Sequence, residues 1–160
     1  MANTLFDEVY TDFYMSKLMN DKSYTSYAGI TDPVEVASLV EAHSLSLLKN
    51  SISMIYESGV PQIDFYDKDD IIGTFNNQLT DIEINLLNDC MHLLLLQEGR
   101  NKLKILGLTF KNSELNLFSP ANDRDSYEKM LNTIGSDVES SIQSYLNRDR
   151  LTHKLKNPNQ

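Results

Sequence analysis

The chain has no tryptophan, a single cysteine, four prolines and six glycines in 160 residues, and each scarcity narrows what it can be. Cys90 alone cannot close an intramolecular disulfide. It lies in an apolar run, so a buried thiol kept reduced is expected. With so little proline and glycine, no long disordered linker is evident. The longest unbroken apolar run near the middle, Leu93 to Leu96, is far too short to span a bilayer. No cationic region precedes an apolar stretch at the N-terminus, so no secretory signal is read. A soluble protein made in a cytoplasm is the expectation. Three histidines occur without His-x-x-His or Cys-His spacing, which leaves a zinc site without support. Phosphate loop, nucleophile elbow, repeat and low-complexity block are all missing. No residue set nominates itself for catalysis, and the chain is read as a non-enzyme without metal or cofactor.

Positive charge is also scarce. Fourteen Lys/Arg stand against 23 Asp/Glu, a net charge of -9, which argues against a sequence-reading DNA binder with its concentrated basic face. The distribution is uneven. Residues 1–99 hold 16 acidic against 4 basic side chains, a balance of -12, whereas residues 100–160 hold 7 against 10, a balance of +3. A dipolar chain of this kind suits a ring of identical subunits, where an acidic flank meets a less acidic one.

What is present is helical periodicity. The 41% apolar fraction must build its core from Leu, Ile, Tyr, Phe and Met. Thr4 and Asp7 look like a capping pair that opens a helix over about 4–20, with Phe6, Val9, Tyr10, Phe13, Tyr14 and Leu18 at helical spacing. Its aromatic stripe reads either as core packing or as a docking arm for another subunit. A polar connection over 20–32 follows. Thr31-Asp32-Pro33 then starts a second helix, proline being well placed at the first helical position, and Gly59-Val60-Pro61 ends it. His43 falls on or near its apolar stripe, as a packed residue.

Residues 62–75 read as an irregular acidic loop, with room for a short strand, around Asp64, Asp67, Asp69 and Asp70. A calcium loop beginning at Asp67 needs Gly at its sixth position and Glu at its twelfth. Ile72 and Gln78 stand there, so a solvated loop binding no specific metal is expected. Thr80 and Glu83 form a capping box, and the helix behind it is apolar around most of its circumference towards Leu96. That helix should be central, with Leu86, Leu87, Cys90, Leu93 and Leu94 mostly buried. Gly99 is expected to weaken or break it, leaving 100–108 as a basic stretch or a short separate helix. Ser119-Pro120 starts the last helix, whose face carries Tyr127, Leu131, Ile134, Val138, Ile142 and Tyr145. The fold class expected is all-α, a bundle of about four to five helices over residues 1–148, with a basic tail over 149–160. Phe6, Tyr10, Phe13 and Tyr14, with Arg148, Arg150, Lys154 and Lys156, are the candidate subunit or partner interface, expected to order fully only on assembly.

Four stretches in order carry a resemblance: Leu5-Phe6-Asp7-Glu8 through Ser16-Lys17-Leu18; Phe75 before Leu79-Thr80-Asp81-Ile82-Glu83-Ile84; Met91 in the apolar helix; and Phe118-Ser119-Pro120-Ala121-Asn122. Over residues 4–148 the chain resembles the small neck proteins of tailed bacteriophages known as head–tail connectors or adaptors. The family pattern has a Trp in the central helix, where Leu94 or a neighbouring leucine stands here. The resemblance implies a helical subunit that assembles head to tail into a ring, with a dodecamer as the suggested size. That ring would lie between the portal protein and a stopper or tail protein in the virion neck. Double-stranded DNA (dsDNA) would pass through it without sequence-specific binding. A second reading, from acidity alone, is a small phage regulatory or inhibitory protein that binds a host enzyme.

Overall fold

The computed structural model describes residues 3–13, 32–109 and 121–156. The expected continuation of the first helix through Tyr14 to residue 20, most of the 20–32 connection and the Phe118-Ser119-Pro120 signal lie outside the described residues, as do 157–160.

Local signals start two of the helices. Asp32 caps α2 (Pro33–Ser58), its carboxylate accepting from the Val34 amide at 3.0 Å. Thr80 opens α3 (Asp81–Thr109). The Thr80 amide donates to Glu83 Oε2 at 2.7 Å, and the Glu83 amide to Thr80 Oγ1 at 3.4 Å, so the capping box is complete. The last helix, α4, spans Ala121–Leu146.

The fold is mostly helical but not all-α. Thr4–Leu5 form a strand, β1, and only at Phe6 does the first helix, α1 (Phe6–Phe13), begin. The expected Thr4 cap fails because the Thr4 hydroxyl is buried and accepts from the Leu79 amide at 2.9 Å, 75 residues away. The acidic loop is a hairpin, β2 (Lys68–Asp69) and β3 (Thr74–Phe75), and β1 pairs on its other side in the antiparallel order β1-β3-β2. Asp69 builds the turn: its Oδ1 accepts from the amides of Ile71 and Ile72 at 2.8 and 3.0 Å. Gly73 closes it at φ 77, where a side chain would be strained.

Gly99 does not break α3, which runs unbroken to Thr109; the basic stretch is its continuation. In place of a break there is a close approach, with the Tyr127 hydroxyl of α4 3.0 Å from where a Cβ at Gly99 would stand. That hydroxyl donates to the Leu96 carbonyl at 2.7 Å.

Helix α3 packs against α1, α2 and α4 and supplies the centre of the core. Leu86, Leu87, Cys90, Met91 and Leu93 are buried, and Leu94 is partly so. From α2 come Val40, Leu47, Ile52 and Ile55, and from α4 Leu131, Val138 and Ile142. Phe75 joins the sheet to this core through edge-on contacts with Phe6 and Phe65, at centroid distances of 5.0 and 6.4 Å, a geometry favoured by the ring quadrupoles.

Candidate functional site

The most elaborate polar arrangement lies where α3 begins, α4 ends and the C-terminal turn folds back. Glu83 is fully buried. Its Oε1 accepts from the Tyr145 hydroxyl and Arg150 Nε, both at 2.8 Å. Its Oε2 accepts from Arg150 Nη2 at 2.8 Å and from the Thr80 amide at 2.7 Å. Burial pushes the Glu83 carboxyl up, but the hydrogen bonds from Arg150, the Thr80 amide and Tyr145 outweigh it and hold the group below its ordinary range. Arg150 is raised, first by its hydrogen bond to Glu83, and Tyr145 is raised by burial and then by the Glu83 charge. Four donors occupy the carboxylate, so it is a saturated clamp instead of a general acid or base.

The same guanidinium donates to the Gln78 carbonyl at 2.8 Å, while the Arg150 amide donates to Gln62 Oε1 at 2.7 Å. The chain around it is a tight turn, with His153 N to Asp149 O and Asp149 N to Lys154 O both at 2.8 Å, and Lys156 N to Asn147 O at 2.9 Å. His153 sits at φ 58, held there by these bonds. Beside the turn runs a groove of about 550 Å³ bounded by Ile82, Asn85, Asp89, Ser144, Arg148 and His153.

The acidic residues of the hairpin are used internally. Asp64 accepts from the Tyr56 hydroxyl at 2.7 Å and the Tyr66 amide at 2.9 Å, and the Asp67 carboxylate from the side-chain Nδ2 groups of Asn76 and Asn77. Asp70 pairs with Lys68, and with Lys49 at 3.2 Å. Tyr56 is pushed up to about 12, first by burial and then by Asp64. Among the described residues no three His, Cys, Asp or Glu side chains gather as a metal site. Burial also pushes Cys90 up to about 12, so its thiol stays protonated and is a poor nucleophile. His43 Nε2 lies 2.9 Å from Glu98 Oε2 and bridges α2 to α3.

The candidate interface residues are not brought together. Phe6, Tyr10 and Phe13 are buried within the chain's own core, which favours core packing over docking for these three: over the described residues the apolar face of α1 is covered by α2 and α3. Tyr14 lies outside the described residues. Arg150 is spent on Glu83, Arg148 donates to the His153 carbonyl at 3.0 Å, and Lys156 Nζ to the Leu146 carbonyl at 2.6 Å. Residues 3–13 and 148–156 thus make extensive contacts within the chain. Lys154 is exposed. In the sequence Glu83 reads as a cap alone and Tyr145 as part of an apolar face. An arginine 67 residues downstream leaves no local signal that it will close on that cap.

Among the described residues, no helix is long and apolar enough to cross a membrane. Comparison with protein-family models, with curated proteins and with solved structures finds no match.

Proposed function

We propose that this chain is a structural subunit of a tailed-phage neck, a head–tail adaptor that assembles into a ring between portal and tail. The observation that carries the reading is the ordered set of four sequence stretches, ending in Phe118-Ser119-Pro120-Ala121-Asn122, that resembles the adaptor family. Two further features agree with it. The fold is mostly helical, and the polar cluster around Glu83 is a saturated clamp suited to rigidity, with Cys90 protonated and buried. An acidic wall would let DNA slide without sticking, because it repels phosphate. On this reading the protein resides in the virion, contacts the portal and a stopper or tail protein, and performs no catalysis.

The test is to image purified virions with an antibody to this protein, and to mix the purified chain with the cognate portal. Label at the head–tail junction and a ring on the portal are expected. Absence from virions, with tight binding of the monomer to one host enzyme, would instead establish the inhibitory role that its acidity also permits.

A further inference from the structure

We propose that one copy of this chain seats its C-terminal turn in a groove beside the β2–β3 hairpin of the next copy. The proposal rests on the reading that the chain assembles with itself, and it names the contact. The groove, about 420 Å³, is walled by Leu5, Tyr10 and Leu45, with Ile71 and Ile72 at its lip. Those two isoleucines are 97% and 71% exposed. A hairpin tip normally takes Gly, Asn or Asp. Here Asp69 caps both amides and leaves an adjacent pair of large apolar side chains in water at the lip of a groove whose walls are part apolar and part acidic, which makes a patch in place of two scattered residues.

The C-terminal turn offers the complement. Leu151 and Leu155 are 70% and 71% exposed, on a turn held rigid by its own backbone bonds and by Arg150 on Glu83. A pre-ordered turn loses little freedom on docking. The charges also match. Asp7 and Glu41 lie on the groove, Asp70 there being paired with Lys68 and Lys49, whereas residues 148–156 keep Arg148, Lys154 and Lys156 against Asp149 once Arg150 is paired with Glu83, with Lys154 next to Leu155. Like-signed surfaces would repel, and opposite ones steer the encounter and set its orientation. Groove and turn share no residue, so the contact is heterologous. Such a contact repeats from copy to copy until it closes into a ring or runs on as a filament.

Two exposed substitutions test this in the full-length chain, read by mass photometry. Ile72→Asp disables the groove and Leu155→Asp the turn, and neither side chain is part of the core. The wild type should form species larger than a dimer, and each variant alone should associate at least tenfold more weakly. An equimolar mixture should give dimers and nothing larger, because one intact groove and one intact turn remain in each pair. If the wild type assembles and both variants assemble equally well, the contact is wrong while the ring reading stands. If the wild type stays monomeric alone and with the portal, both fall. A groove that instead captures an unrelated basic, apolar peptide, with no self-association, also overturns the proposal.

Discussion

Arg150 grips both oxygens of Glu83, Nε on Oε1 and Nη2 on Oε2, each at 2.8 Å. This fork joins the first turn of α3 to the segment beyond α4, and its acceptor is wholly buried while the guanidinium is only 22% exposed. A bidentate pair of this kind has defined geometry that a lysine cannot reproduce.

Arg150→Ala should therefore destabilise strongly. It leaves a buried carboxylate without its cation, a loss of ~3–5 kcal/mol. Arg150→Lys should recover only part of it. Urea unfolding checks the series, and a loss below ~1 kcal/mol for Arg150→Ala, the level of an exposed pair, would show that the fork is not structural.

Stability should fall on both sides of neutral pH. The folded pKa of Glu83 is depressed below 4.5, so its contribution is complete above that value and is lost as pH falls through the folded pKa. The exposed Asp64, Asp70 and Asp149 shift in the same direction, with weight reduced by solvent screening. At the alkaline end Cys90 and Tyr56, each pushed up to about 12 from 9.0 and 10.0, favour a protonated folded state. Their contributions decline as pH rises above those ordinary values. Urea midpoints measured across pH should show a plateau between roughly pH 5 and 8.5. Glu83→Gln should flatten the acid limb, and an unchanged limb would assign the titration elsewhere.

Cys90 should report unfolding. It is fully buried and its thiol is protonated at pH 8, so a thiol reagent should label the native protein at the rate of the opening that exposes α3. Labelling should accelerate with urea in step with loss of helix. Fast labelling in native buffer, as rapid as that of a free thiol, would contradict the burial.

Gly99→Ala should be close to neutral, although a helical Gly→Ala change ordinarily gains up to ~1 kcal/mol. The new Cβ would stand 3.0 Å from the Tyr127 hydroxyl, which must shift away from the Leu96 carbonyl. In a Tyr127→Phe background the obstacle is gone, and the same change should stabilise by ~0.5–1 kcal/mol. Equal effects in both backgrounds would remove the hydroxyl as the reason for glycine.

Capping and periodicity made the starts of α2 and α3 legible, because Asp32 and the Thr80–Glu83 pair act over a single turn. Gly59-Val60-Pro61 and the apolar spacing of α3 likewise placed the end of α2 and the burial of Leu86, Leu87, Cys90 and Leu93, with Leu94 only partly buried. Those signals are local: the caps find their partners within four residues, and the apolar spacing repeats along one helix. Tertiary structure alone decided the rest. Thr4 became a strand residue because β3 and Leu79 offered its backbone and hydroxyl better partners than its own helix did. Gly99 stayed inside α3 because packing against Tyr127 outweighed its poor propensity. The helical spacing of Phe6, Tyr10 and Phe13 allowed core or docking and only the packing of α2 and α3 chose core, while Arg150 became a clamp because its partner lies 67 residues away, where no pattern in the chain points.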